Sequence, residues 1–175
     1  MCIRDRPYFV FIGAVGAQVL VPIEEVSIKG GEVELNANVG DNLDVYMGVS
    51  VSDSEVEEYS VNAAAVGNDA PYVPSNTFNA GFQYRRPITD NIGLFLRADY
   101  ENRGRQFWDP ENSTARSAIE LLGLRAGFED NDGVWSLIGS IANATDEEYN
   151  SEWVAGGFAH SAAPRQYKVD LRYNF

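Results

Sequence analysis

Two adjacent carboxylate pairs, Glu57-Glu58 and Glu147-Glu148, one histidine, His160, and one cysteine, Cys2, are the side chains from which acid–base, nucleophilic or metal chemistry would have to be assembled. Neighbouring residues point to opposite faces of a strand, and in a loop nothing holds two carboxylates at a working distance. The pairs therefore read as solvated loop charge. A single histidine and a single cysteine supply neither a zinc set nor a CxxC pair. An acyl-transferring or lipase-type enzyme would have to use His160 as its base, so that reading stands or falls on one loop residue. Asp130-Asn131-Asp132-Gly133 begins like a calcium loop, but its glycine comes too early and no Glu completes the twelve-residue pattern; it reads as a hairpin turn. No catalytic residue, metal or cofactor is expected. With 26 acidic against 13 basic side chains the net charge is −13, which repels a phosphate backbone and excludes nucleic acid as a partner.

The other charged groups obey a spacing rule. Arg85, Arg97, Arg125 and Arg172, with Asp99, Glu101, Glu129 and Asp170, alternate with apolar residues along the chain. Such groups share one face of a sheet and are expected to pair across strands; a sharper expectation is a polar track for an anionic ligand. The elements that would position them show period-two alternation, and sustained helical periodicity is missing. Val33, Leu35, Ala37 and Val39 oppose Glu32, Glu34, Asn36 and Asn38 within a strand over 25–39. Gly40-Asp41-Asn42 turns the chain into Leu43, Val45, Met47, Val49 and Val51. Residues 53–76 read as a long polar loop. Alternation returns at Phe78 to Arg85, and after a turn at 89–91 at Ile92 to Glu101. A second long connection covers 102–115. Strands at 122–129 and 135–142 flank the Asn131-Asp132-Gly133 turn, and a third long loop covers 145–164. In the closing strand Tyr167, Val169, Leu171, Tyr173 and Phe175 oppose Gln166, Lys168, Asp170, Arg172 and Asn174 without a single exception.

Residues 1–23 carry two readings: a signal peptide, with Arg4 and Arg6 before an apolar run, or a strand from about Tyr8 to Gln18. Counting the strand gives about eight, joined by connections that alternate long and short, with an even number preferred in bacterial outer-membrane barrels. One face is almost wholly aliphatic or aromatic and the other rich in charge and amide, which suits lipid outside and a wet lumen inside. Aromatics gather near both strand ends, Phe128, Trp135, Tyr173 and Phe175 by the short turns and Phe107, Trp108, Tyr149 and Trp153 toward the long loops, as two interfacial girdles would require. The expected fold is all-β: an antiparallel, up-and-down transmembrane barrel segment facing outer-membrane lipid. A soluble lipocalin-like barrel or sandwich shares the alternation with its faces exchanged. A complete eight-stranded barrel with a structural or adhesion role is the other membrane reading.

Specific residues then bring in a family. Asn143-Ala144-Thr145-Asp146-Glu147-Glu148-Tyr149 resembles the N-[LA]-T-D-E-x-Y segment of TonB-dependent outer-membrane receptors. Pro164-Arg165-Gln166-Tyr167-Lys168-Val169-Asp170-Leu171-Arg172-Tyr173-Asn174-Phe175 resembles their terminal P-R-x-Y-G-V-x-L-R-Y-x-F strand, with Lys168 in place of glycine. Leu94 to Tyr100 and Gln106 to Asn112 are similar to the family's late barrel strand and loop. The resemblance covers most of the chain from about Ile28 onward. It implies that residues 8–175 are the C-terminal strands of a 22-stranded barrel, able to stay an open curved sheet or to close as a small barrel. It further implies that plug and TonB box lie outside the chain, and that the whole receptor takes up a ferric siderophore or similar nutrient with energy from the TonB complex. It also implies that Tyr167, Val169, Leu171, Tyr173 and Phe175 are the β-signal read by the barrel-assembly machinery. Residues 1–7 are expected to be a non-native or partial N-terminal segment, since Met1 to Arg6 resembles an adapter-derived peptide.

Overall fold

The computed structural model describes residues 6–12, 14, 16–154, 156 and 158–175. The expectation for residues 1–7 falls mostly outside the described residues. Among the described residues the structure is built from β1 (Arg6–Ile12), β2 (Ala17–Ile23), β3 (Glu25–Val39), β4 (Leu43–Glu58), β5 (Asn76–Pro87), β6 (Ile92–Arg103), β7 (Gln106–Phe107), β8 (Ala115–Arg116), β9 (Ile119–Asp130), β10 (Trp135–Ala142), β11 (Asn150–Trp153), β12 (Ala159–Ser161) and β13 (Gln166–Tyr173), with a 3-10 turn at Ala63–Ala65. Seven strands form one antiparallel sheet in the order β13-β10-β9-β6-β5-β4-β3, so each pairs with its sequence neighbour within that sheet. The sheet is open: β3 and β13 lie at opposite edges and do not meet.

Register converts the alternating pattern into two faces. Ala37, Val45, Phe82, Ala98, Leu124, Ile141 and Tyr167 lie in one row across all seven strands. Val39, Leu43, Tyr84, Leu96, Ala126, Gly139 and Val169 lie in the next. Large side chains on this face are exposed, Val33 at 68% and Leu171 at 75%. A band of this width left open to water would aggregate, and it is what a bilayer covers.

Three short turns, between β3 and β4, β5 and β6, and β9 and β10, lie at one end of the sheet. Asn131 ties two of them together, its amide donating to Thr89 O at 3.0 Å and Asp90 O at 2.8 Å. At this end Trp135 pairs with Tyr173, whose ring meets that of Phe175 edge-on at 5.2 Å. The girdle expected on the short-turn side is thus present. The other one differs from expectation: Trp108 is buried within the loops, against Tyr72 at 5.2 Å, while Phe78 and Tyr100 take the upper membrane-facing positions, 6.0 Å apart. Aromatic type alone does not separate a loop anchor from an interfacial residue.

The strand expected over 8–18 is two strands. Residues 6–12 pair with 17–23 as a hairpin of their own, outside the large sheet, with Gly16 at φ +62° in the connection. Gly16, within an apolar run of aromatic, β-branched and small residues, marks a reversal that alternation counting passed over. The loop expected from Asp53 is also shorter, because β4 continues to Glu58 against β3. Pairing of β4 with β5 ends at Val51, so the β3–β4 hairpin projects by about 23 Å, at ~3.3 Å per residue. On that projection Ile23, Val26, Val56, Tyr59, Ala65 and Ala70 form a buried cluster outside the membrane band. Ile23, Val26 and Val56 are each buried to 2% exposure or less, stabilising the projection by about 1.5–3 kcal/mol apiece.

Candidate functional site

The concave face of the sheet carries the polar side chains. One row runs Gln83, Arg97, Arg125, Ser140, Lys168, and the next toward the turns runs Arg85, Phe95, Gly127, Ile138, Asp170. Above them Tyr46, Gly81, Asp99 and Gly123 are in register. A Cβ on Gly81 would lie 2.5 Å from the Tyr46 ring, so glycine leaves the space across which Tyr46 reaches Asp99 and donates its hydroxyl proton to Oδ1. Arg97 places Nε 2.9 Å from both oxygens of Asp99 and Nη2 2.7 Å from Oδ1. Arg85 pairs with Glu129 at 2.9 Å and lies over the ring of the buried Phe95 at 4.8 Å.

Most pairing runs along strands and not across them as expected: Arg97 with Asp99, Arg103 with Glu101 at 2.6 Å, and Lys168 with Asp170 at 2.7 Å, each two residues apart. The cause is that i and i+2 lie on the same face about 7 Å apart, within reach of a long arginine, whereas Arg97 stands directly opposite Arg125. Arg125 and Arg172 make no ion pair among the described residues. Arg85, Arg97, Arg125, Lys168 and Arg172 line a trough of about 740 Å³. Asp170 lies in the same lining, and Arg85, Arg97 and Lys168 reach it already paired with carboxylates.

At the other end the three long connections are knitted together. Tyr72, at φ +61°, donates its amide to Phe107 O at 2.8 Å and its hydroxyl to Trp153 O at 2.9 Å; burial pushes its phenol pKa up. Asn112 accepts from the Asp69 amide and donates to Asp69 O, both at 2.9 Å. Asp109 is buried and accepts the amides of Ser113 and Thr114 at 2.8 and 2.9 Å, together with the Thr114 hydroxyl. Glu24, in the bend before β3, accepts from the Ser60 hydroxyl and amide, which lower its pKa.

The residues singled out by motif lie in the same rim. Asn143, at φ +50°, folds its side chain onto Glu147, accepting from the amide and donating to the carbonyl at 2.9 Å each, and reaches Ala163 O at 3.4 Å. Asp146, at φ +59°, accepts the Arg165 amide at 2.8 Å, and Arg165 returns a bond to Ala144 O at 3.2 Å. Ala162 donates to Tyr149 O at 2.8 Å, Thr145 is exposed on the turn, and Pro164 flanks the join. The two sequence motifs thus close one loop at its base. Tyr167, Val169, Leu171, Tyr173 and Phe175 all lie on the membrane side of β13 or just past it, each more than half exposed. His160 sits in the β11–β12 hairpin with Nδ1 2.8 Å from Glu152; Glu57 and Glu58 end β4, and Glu147 and Glu148 lie in the rim, so His160 meets a carboxylate outside both adjacent pairs. Among the described residues no cluster of three metal-ligating side chains occurs. Asp130–Gly133 is a turn closed by Gly133 N to Asp130 O at 2.9 Å.

Sequence reasoning passed over Arg116, Tyr72 and Asp109. The Asp109-Pro110 step was the available signal for the last, since Asp before Pro favours a turn; nothing local marks the other two.

A family model described as "TonB dependent receptor-like, beta-barrel" matches residues 3–144. Among solved structures the chain is similar to BauA, the ferric preacinetobactin receptor from Acinetobacter baumannii, with TM-score 0.74 and 17% identity, covering 97% of this chain and 25% of that one. It is similar to FyuA, the ferric yersiniabactin uptake receptor from Yersinia pestis, with TM-score 0.76 and 18% identity over 86% of this chain and 24% of that one. With the ferric citrate transporter FecA in its unliganded form the values are 0.67 and 19%, over 84% and 24%. The chain spans about a quarter of the length of each of these receptors. An open antiparallel wall with an apolar outer band, a charged concave face and a knitted rim, matched by the family over residues 3–144, places the chain in the TonB-dependent receptor β-barrel family of the bacterial outer membrane.

Proposed function

We propose that the chain is the C-terminal wall of an outer-membrane receptor that takes up a ferric siderophore or similar iron chelate, energised through the TonB complex by a plug-bearing segment that precedes it. The observation that carries the reading is the division of one sheet into an apolar outer face and a charged concave face, with both edge strands unpaired in the large sheet. A wall of this kind completes a lumen when further strands join β3 and β13. The free edge of β13 and the alternate side chains Tyr167, Val169, Leu171, Tyr173 and Phe175 suit recognition by the barrel-assembly machinery through strand addition. The receptor holds and releases its cargo without making or breaking a covalent bond.

Cells that depend on the full-length receptor for iron, given radiolabelled ferric chelates, should lose uptake when TonB is deleted or the proton gradient collapsed, while surface binding at 0 °C persists. Uptake indifferent to both treatments would refute the reading. Deleting Phe175 should lower the amount of folded receptor in the outer membrane; an unchanged amount would refute the assembly role.

A further inference from the structure

Three arginines on this sheet and its rim present the same donor fork, Nε with Nη2, and two of them hold a carboxylate in it. Arg97 grips Asp99, and Arg103 places Nε 2.6 Å from Oε1 and Nη2 3.1 Å from Oε2 of Glu101. Arg116 is the third. It is only 9% exposed, its Nε is buried without a hydrogen-bond partner, and its Nη2 has a single long bond of 3.3 Å to the Gly104 carbonyl. Glu101, the carboxylate whose charge acts on Arg116, has both oxygens committed to Arg103. The acids of Arg116's own connection are also engaged, Asp109 by Ser113 and Thr114, and Glu111 by Asn62 at 3.0 Å. Burial lowers the Arg116 pKa and the like charge of Arg103 lowers it further. A buried guanidinium whose Nε is unpaired and whose Nη2 makes one long bond is costly, and a planar two-oxygen anion relieves that cost by engaging both donors at once.

We infer that Arg116 is a binding site for a carboxylate-type oxyanion of the receptor's cargo. The site is separate from the trough lined by Arg97 and Arg125. Arg116 lies in the β6–β9 connection, beyond the membrane band and on the side where the long connections meet, so its partner arrives from outside the cell. The inference rests on the receptor reading above and specifies one chemical feature of the cargo.

Citrate is the probe. Purified full-length receptor in detergent, wild type, Arg116→Gln and Arg116→Lys, is unfolded thermally in rising citrate at constant ionic strength. Citrate should raise the wild-type midpoint. Arg116→Gln should weaken the apparent citrate affinity at least tenfold, and Arg116→Lys, which keeps the charge without the fork, by an intermediate factor. No citrate response in wild type, or the same response in all three, overturns the site. A response seen only after the segment preceding residue 6 is deleted would mean that the protein's own carboxylate fills the fork, and overturns the cargo assignment. Should Arg116→Gln lose the heat-modifiable gel mobility of a folded barrel, Arg116→Lys carries the comparison. Iron uptake by cells reports separately on the receptor reading, so failure of one is distinguishable from failure of the other.

Discussion

Replacing Asn143 tests whether the two sequence motifs act as a clasp. Its side chain makes two 2.9 Å bonds to the Glu147 backbone, each contributing about 1 kcal/mol net, and its φ of +50° costs an alanine about 1 kcal/mol more than an asparagine. Asn143→Ala should therefore weaken closure of the loop by about 3 kcal/mol, and Asn143→Gly, which is free of the backbone strain, by about 2 kcal/mol. Opening governs hydrogen exchange of the amides the clasp protects, those of Glu147, Ala162 and Arg165. At 1.4 kcal/mol per decade, exchange should accelerate roughly hundredfold in Asn143→Ala and roughly thirtyfold in Asn143→Gly. Protection of amides in β9 should not change. Mass-spectrometric exchange of the full-length receptor in detergent reads all of these at once. Equal rates in wild type and both variants, or faster exchange in the glycine variant than in the alanine one, would refute the clasp.

Leu124 lies near the middle of the apolar band, and Leu124→Arg should cost about 2–4 kcal/mol in a bilayer, read as a lower urea midpoint in lipid vesicles; an unchanged midpoint would place that face away from lipid. A Cβ on Gly127 would collide with the Leu137 carbonyl and lie 2.7 Å from Ile138 Cα, so Gly127→Ala should separate β9 from β10 at about 1–3 kcal/mol and reduce heat-modifiable folded receptor. Tyr72→Phe keeps the edge-on contact with Trp108 and removes the bond to Trp153, so exchange at the β11–β12 hairpin should rise about fivefold for a loss of about 1 kcal/mol. Because Ser60 holds the folded pKa of Glu24 below its ordinary 4.5, the bond stabilises the bend fully above that value and is lost as pH falls through the folded pKa. Protection of the Ser60 amide should therefore survive at pH 5 and disappear on further acidification, and Glu24→Gln should make it independent of pH.

The membrane strands were legible because lipid on one side and water on the other enforce period two, and Glu25–Val39 emerged with the ends read from its alternation. What was misjudged lies where a segment leaves that regime. β4 beyond Val51 and the β1–β2 hairpin stand outside the band, where burial comes from the Ile23, Val26 and Val56 cluster, so a polar run such as Asp53 to Glu58 can still be strand. Pairing on the concave face was legible in residue type and not in partner, since an arginine reaches a carboxylate on its own strand as readily as one on the next. Arg116 was illegible for a related reason: its role depends on which carboxylates are already taken, a property of the assembled rim.

The order of strands in the sheet is the order of the chain, so every seam joins segments brought together by a single turn or loop. Closure entropy is then spent locally, step by step, and contact order stays low for a β protein. A wall built this way carries its shape in each adjacent pair and needs no distant strand to define it. That additive construction accounts for strands that follow the curvature of receptors only 17–19% identical, with TM-scores of 0.67–0.76. Evolution can lengthen or trim such a wall by whole hairpins while the remaining seams stay as they were.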